Sequence, residues 1–405
     1  MRTEPSKQLL PFAFFILVLC ISAGVASGVS FFLFLLIGAT NFFTQHWTVL
    51  IVGLPIWGLA LYWLQTHRSL KALATSESIL EEIQNPRLKI SALLAPFIII
   101  TTVLSHLFGA AVGRESAAIQ IGASISETVS EFFKKIFHLP ENRSLILRLG
   151  LAAGFSAAFG TPLTGALFSL EHPQHLNISS LKSSLWILMA SYGSYFFASI
   201  WGPAHTHWPQ INFLWSSIDL LEWLSFSLAL ALFCLVYEWS LLFVQALGKD
   251  LKWGMKIFFG GLLILLATYI IGGPTYNGLG TNLTEQALNQ DSTWTQVLSK
   301  MLFLILSVGS GFKGGEVTPL ISIAALFAGA YTTSFIYVSA GLSAIFAYRL
   351  RAPIAGVLIL VELFNWKVAV ISLGPILCCW LLNELLRAFG RRLNLQIFST
   401  VRRYY

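Results

Sequence analysis

The chain has 405 residues, of which 56% are hydrophobic and only 11% are charged. So few charges exclude an ordinary soluble protein, although this length would suffice for two or three soluble domains. The formal net charge is +7 at pH 7, but the basic residues form short clusters between apolar segments, which does not indicate a nucleic-acid partner. We therefore predict a polytopic membrane protein that lies in the lipid bilayer.

Apolar runs of membrane-spanning length recur along the chain. A helix needs about 20 residues to cross a bilayer, and the runs that approach or exceed this length cover 9–40, 90–111, 145–170, 181–200, 220–247 and 368–386. The first run is too long for the apolar core of a signal peptide, so it predicts a membrane segment. Basic residues near both ends of the chain predict that both termini are cytoplasmic. The four cysteines lie in apolar runs without disulfide or metal spacing, and we expect neither a metal nor a cofactor.

A glycine-rich segment, 109–122, places Arg114 and Glu115 inside an apolar region. An ionisable residue at membrane depth is costly and is a functional candidate for that reason. The small and apolar residues after Glu115 predict the start of a helix. The backbone N–H groups of Glu115, Ser116 and Ala117 would then attract an anion, which the Glu115 carboxylate itself imitates.

A second signal lies in 148–171, where Pro162 interrupts a glycine-containing apolar run nine residues before Glu171. The same spacing recurs between Pro353 and Glu362. A further glycine-rich segment, 309–319, contains Glu316 and matches the pattern before Glu115. These correspondences predict two membrane half-repeats, 1–205 and 206–405, arranged as an inverted repeat with broken helices around a site at the bilayer midplane.

These motifs resemble the CLC family of anion channels and anion/proton antiporters over nearly the whole chain. The family's G-[KR]-E-G-P-x-x-x-x-G segment is similar to Gly113-Arg-Glu-Ser-Ala-Ala-Ile-Gln-Ile-Gly122, in which Ser116 and Ala117 replace Gly-Pro. Its A-x-F-x-x-P-x-x-G segment resembles 157–165. The segments 311–319 and 80–86 are similar to those of the fluoride/proton antiporter branch, CLC-F. The resemblance implies an all-α fold of two inverted halves with broken and tilted helices.

The resemblance also implies roles for individual residues. Glu115 occupies the position of the gating glutamate, which alternately blocks the anion path and carries a proton; a fixed ion pair with Arg114 is the structural alternative. Glu316 and Thr318 match residues that CLC-F proteins place near the anion site and the proton route, and the amides of Glu316 and Val317 would face the anion. The alternative for Glu316 is an acidic helix N-cap.

Three positions depart from the family patterns. Ser76 lies where chloride transporters of the family place a serine hydroxyl, although it also suits a simple helix cap. Asn394 lies where many relatives place a tyrosine donor. His172 aligns with the internal proton-transfer glutamate of chloride/proton exchangers, and it would either relay a proton near neutral pH or lie in a solvated loop.

We therefore expect a secondary transporter that exchanges a halide, with fluoride favoured, for protons. A chloride/proton antiporter and a passive chloride channel gated by Glu115 are the alternatives. A membrane enzyme would need paired carboxylates or a metal triad at membrane depth, and no such spacing occurs. A scaffold protein would not need Glu115 and Glu316 at glycine-rich breaks. The resemblance further implies a homodimer. We also expect a bacterial inner or plasma membrane and, because no such domain follows Tyr405, no cytoplasmic regulatory domain.

Overall fold

The computed structural model describes residues 9–65, 76–137, 142–171, 181–203, 205, 219–248, 251, 253–289, 291–332 and 334–392. Within these residues the chain forms seventeen helices and no sheet. The helices, labelled α1 to α17 in chain order, are Leu9–Leu50, Gly53–Gln65, Ser76–Gln84, Leu94–Leu107, Glu115–Phe137, Arg143–Phe159, Pro162–Glu171, Leu181–Trp201, Leu220–Leu247, Trp253–Ile271, Thr281–Asn289, Trp294–Ser310, Val317–Tyr331, Phe335–Leu350, Pro353–Leu363, Trp366–Ile371 and Leu373–Arg392.

The predicted helix starts and breaks are confirmed. Helix α5 begins at Glu115, and α7 begins at Pro162, two residues after the left-handed cap residue Gly160 of α6. Helix α15 likewise begins at Pro353. Proline suits the first helical position because the N–H group that it lacks would have no partner inside the helix.

Helix α1 is longer than predicted. The expected segment ended at Thr40, but the helix continues to a kink at the non-helical residue His46 (φ −124°, ψ 27°), and helical backbone resumes after it and ends at Leu50. The added residues contain neither glycine nor proline, and Gly53 begins the next helix. The apolar run therefore ended before the helix did.

In the part of the chain that the structure describes, three helical segments are long and apolar enough to cross a membrane: Pro11–Leu50, Leu220–Leu247 and Gly254–Ile271. Several other apolar helices are shorter, and α13 has only 15 residues. At the α-helical rise this corresponds to about 22 Å, which is less than the ~30 Å of the bilayer core. Such a helix cannot cross the membrane alone.

The described chain divides into two compact units. Unit 1 comprises Met1–Asn41, Leu64–Leu104 and Arg114–Thr206, and unit 2 comprises Phe42–Trp63, Ser105–Gly113 and His207–Tyr405. The repeat relation between residues 1–205 and 206–405 stays a prediction.

Glycines allow α5 and α6 to pack closely in unit 1. A Cβ on Gly150 of α6 would overlap the carbonyl oxygen of Gly122 and the hydroxyl of Ser126, both on α5. A Cβ on Gly154 would overlap the carbonyl oxygen of Ala118. This contact fixes the position of the helix whose first residue is Glu115.

A buried ionic cluster holds α3 in the same unit. Arg143 Nε donates to Glu127 Oε1 and Oε2 at 2.8 and 3.0 Å, and its Nη1 lies 3.1 Å from Glu82 Oε2. The Glu82 carboxylate also accepts the backbone N–H groups of Arg87 and Leu88 at 2.7 and 2.9 Å. The CLC-F-like segment 80–86 therefore anchors the short helix that begins at Ser76.

We expect Gly150→Val to lower the stability of the protein by roughly 1–3 kcal/mol, because the new side chain forces α5 and α6 apart. Thermal unfolding in detergent measures the effect. The matched control is Gly38→Ala in α1, where nothing lies within 4 Å of the added methyl group. Equal unfolding temperatures for both variants would contradict the close packing.

Candidate functional site

Glu115 is buried at the start of α5, with 2% of its surface exposed. The first hydrogen bond of the α5 ladder runs from the Ala118 N–H to the Arg114 carbonyl at 3.1 Å, so the N–H groups of residues 115–117 precede that ladder. Ser116 Oγ accepts a hydrogen bond from Gln120 Nε2 at 3.1 Å, and Ala117 is 1% exposed. A helix start of this kind favours negative charge.

The neighbouring Arg114 stacks on an aromatic ring. Its guanidinium carbon lies 5.4 Å from the centre of the Phe159 ring, at the last residue of α6. Its Nε is buried and has no hydrogen-bond partner. The cation therefore adds positive charge to the glycine-rich segment without using all of its donors.

In unit 2, Glu316 precedes α13 and is held by two side chains. It occupies the N-cap position, as the capping alternative predicts, although its side chain makes no capping hydrogen bond. Glu316 Oε2 accepts the Tyr237 hydroxyl at 2.6 Å, and Oε1 accepts the Arg349 guanidinium. The side chains of Glu316 and Arg349 are each 12% exposed. The carboxylate is therefore paired in a nearly dry environment.

Val317 and Thr318 form the first turn of α13 and are 3% and 5% exposed. The first ladder bond of α13 runs from the Leu320 N–H to the Glu316 carbonyl at 2.9 Å. The Thr318 carbonyl accepts the Ser322 hydroxyl at 3.3 Å. This buried helix start has the donor chemistry that suits an anion.

A pair of backbone hydrogen bonds joins two glycine-rich segments within unit 2. The Gly315 N–H donates to the Gly113 carbonyl at 2.8 Å, and the Gly113 N–H donates to the Gly315 carbonyl. Gly314 has φ +143°, and a Cβ there would lie 2.6 Å from Val112 Cβ. Glycine is required at this close approach because no other residue fits it without strain.

A second carboxylate interaction of unit 2, that of Glu238, was not predicted from the sequence. Glu238 lies within α9, and its carboxylate accepts the Tyr348 hydroxyl. The Tyr348 carbonyl in turn accepts Asn383 Nδ2 at 3.0 Å. The signal was present, since Glu238 is an acid inside an apolar run of spanning length.

The roles of all the predicted site residues stay predictions, and for three of them the structure describes no side chain. Ser76 begins α3, but its side chain lies outside the described residues. His172 and Asn394 also lie outside the described residues.

The chain is similar to known proteins both in sequence and in structure. Residues 56–382 match the protein family described as "Voltage gated chloride channel". A protein of Pseudomonas syringae pv. tomato, named "Chloride/fluoride channel protein", is 33% identical over 376 residues, which are 88% of this chain and 80% of the relative. The "H(+)/Cl(-) exchange transporter ClcA" of Vibrio vulnificus is 27% identical over 304 residues, which are 67% of this chain and 63% of the relative.

Two solved structures share the fold. A "CLC-type fluoride/proton antiporter" superposes with a TM-score of 0.80 at 24% identity, covering 94% of this chain and 97% of the other. A "slow cyanobacterial Cl-/H+ antiporter" superposes with a TM-score of 0.78 at 18% identity, covering 92% and 94% of the two chains. At these identities the likeness concerns the fold.

We expect Arg349→Met to lower stability by roughly 3–5 kcal/mol, because the substitution leaves a buried carboxylate without its cation. Adding Glu316→Gln should restore part of the loss, since a neutral amide needs no counter-charge. Thermal unfolding in detergent measures both variants, with Arg87→Met at an exposed position as the control. A double variant as unstable as Arg349→Met alone would contradict the ion pair.

Proposed function

Because the chain belongs to the voltage-gated chloride channel (CLC) family and has the CLC fold, we propose that this membrane protein exchanges a halide, preferentially fluoride, for protons through Glu115. The observation that carries the proposal is the burial of Glu115, 2% exposed, as the first residue of α5 behind a glycine-rich segment. A carboxylate there competes with a free anion for the same kind of donors.

The proposed gate works by a balance of opposing effects on Glu115. Burial in apolar surroundings favours the protonated, neutral carboxyl group. The start of α5 and the charge of Arg114 favour the carboxylate. A halide that takes the place of the carboxylate adds negative charge and favours protonation, so anion arrival and proton uptake become coupled.

In this proposal Glu316 lies on the proton route, while Val317 and Thr318 contribute donors to the anion. Tyr237 and Arg349 hold the Glu316 carboxylate in one position, which favours a defined transfer geometry. Removing Arg349 would therefore change the position of the Glu316 carboxylate.

The preference for fluoride rests on chemistry and on two relatives. Fluoride is strongly hydrated, so its site must supply close hydrogen-bond donors, and the Gly314-Gly-Glu-Val-Thr-Pro319 segment combines an amide-rich helix start with the Thr318 hydroxyl. The names of the Pseudomonas syringae relative and of one solved structure include fluoride.

The second candidate is chloride/proton exchange, or passive chloride conduction gated by Glu115. It is favoured by the Vibrio vulnificus relative and the cyanobacterial structure, whose names specify chloride and protons, and by the word "channel" in the name of the Pseudomonas syringae protein. A homodimer, cytoplasmic termini and a bacterial inner or plasma membrane belong to the same proposal.

The decisive experiment measures fluoride and chloride efflux from proteoliposomes while the external pH is recorded. We expect wild-type protein to move fluoride with opposed proton movement. Proton-coupled chloride efflux without fluoride transport would favour the chloride antiporter, and uncoupled efflux would favour a channel. Absence of any halide flux would overturn the proposal.

In the same assay, Glu115→Gln should abolish proton movement, because an amide cannot carry the proton. The matched control is Glu285→Gln, which removes an exposed carboxylate of α11 and should leave coupled exchange intact. Coupled exchange that persists in Glu115→Gln would refute the assigned gate.

Thr318→Ala should reduce the ratio of fluoride to chloride flux by about tenfold, which corresponds to the loss of one hydrogen bond to an anion. The control is Thr281→Ala, at an exposed threonine of α11. A flux ratio equal to that of wild type would remove Thr318 from the anion site.

A further inference from the structure

Lys300 is a fully buried cation in the apolar helix α12, with 0% of its surface exposed. Its ammonium donates to two backbone carbonyls, those of Tyr276 at 3.0 Å and Gly278 at 2.7 Å. Both carbonyls belong to the segment between α10 and α11. Among the ion pairs of the described residues, none includes Lys300. The charge is therefore solvated by neutral oxygens alone.

A buried histidine next to this lysine has unused ring nitrogens. His106, in the last turn of α4, is 1% exposed, and neither Nδ1 nor Nε2 has a hydrogen-bond partner. A Cβ on Gly278 would lie 3.8 Å from His106 Nδ1, and the same glycine accepts the Lys300 ammonium. Lysine and histidine thus meet around Gly278.

The segment that joins them is held in place. Gly278 and Gly280 have φ of +61° and +80°, and a Cβ on Gly280 would lie 2.7 Å from Lys300 Cε. Asn277 Nδ2 donates to the Gly109 carbonyl at 2.7 Å. The Ser322 hydroxyl donates to the Gly280 carbonyl at 2.8 Å. The loop that contacts both Lys300 and His106 is therefore fixed in position before any ligand arrives.

The chemistry of this cluster specifies the class of ligand. An ammonium has three donors, of which two are used, and an imidazole has at least one N–H group. A buried charge without a counter-charge is strongly unfavourable, and an unsatisfied buried donor adds to that cost. A water molecule would satisfy a donor but not the charge, whereas an anion satisfies both. Because the two side chains are 0% and 1% exposed, only a monatomic anion is small enough to enter, and neighbouring side chains must shift to admit it.

We propose that the Lys300 ammonium and the His106 imidazole bind a halide ion of their own, in addition to any halide that Glu115 gates. Ser322 lies one turn after Thr318 on α13, and its hydroxyl contacts the Thr318 carbonyl. The Lys300 halide would therefore lie next to the first two turns of α13, within unit 2.

Equilibrium dialysis of the full chain in detergent tests this site, with sodium fluoride measured by electrode and radioactive chloride by counting. Lys300→Met should bind one halide fewer per chain than wild type. His106→Phe, which keeps the ring but loses the N–H group, should weaken that halide by roughly tenfold or more. The control is Lys367→Met, which removes an exposed lysine from α16 and should bind as wild type does.

The proposal would be overturned if Lys300→Met and His106→Phe both bound fluoride and chloride as wild type does. Lys300 would then serve only to hold the loop between α10 and α11. A loss that Lys367→Met shares would also overturn it, because the effect would then come from overall charge. If Lys300→Met does not fold, His106→Phe decides. Glu115→Gln should keep this halide, so failure of proton coupling and failure of this site are distinct results.

Discussion

The structure depends on one constraint, which is that polar groups inside an apolar protein need partners there. Every helix end within the membrane brings backbone N–H or carbonyl groups into a region without bulk water. The reciprocal hydrogen bonds of Gly113 and Gly315 meet this need where two glycine-rich segments pass each other. Only glycine allows the backbones to approach so closely, as the contact of Gly314 with Val112 shows.

Two buried charged side chains of unit 2 differ in the partners that surround them. Glu316 has a cation and a phenol as partners, so its carboxylate is compensated within the protein. Lys300 has only carbonyl oxygens, which solvate a cation but do not neutralise it. The first arrangement fixes a charge in place, and the second leaves positive potential for a mobile anion. A halide transporter has a use for both arrangements. A charge that is already compensated by the protein's own residues is stabilised little by an added ion, whereas an uncompensated cation is stabilised by an anion.

The sequence predicted those features that depend on neighbouring residues. Glu115 follows glycines and precedes small residues, and Pro162 and Pro353 interrupt apolar runs, so the helix starts at these residues could be predicted from local rules. The partners of Glu316 could not, because Tyr237 and Arg349 are 79 and 33 residues away in the chain. Lys300 carried a weak signal, as a single cation in an apolar helix. Its closeness to His106 depends on the turn at Gly278, which could not be predicted from the neighbouring residues.

Helix length connects these observations to anion chemistry. A helix of 15 residues such as α13 ends before it crosses the membrane, so its amide-rich start and positive dipole end act where water is scarce. In that environment the field of a helix start and of a nearby lysine is screened far less than at a surface. This attraction selects for negative charge, but it does not distinguish a small halide from a larger one. Discrimination must come from groups that touch the ion, which are hydroxyls and N–H groups at short range. If Thr318 contacts the anion as we propose, its hydroxyl is therefore better placed to set selectivity than any of the buried charges.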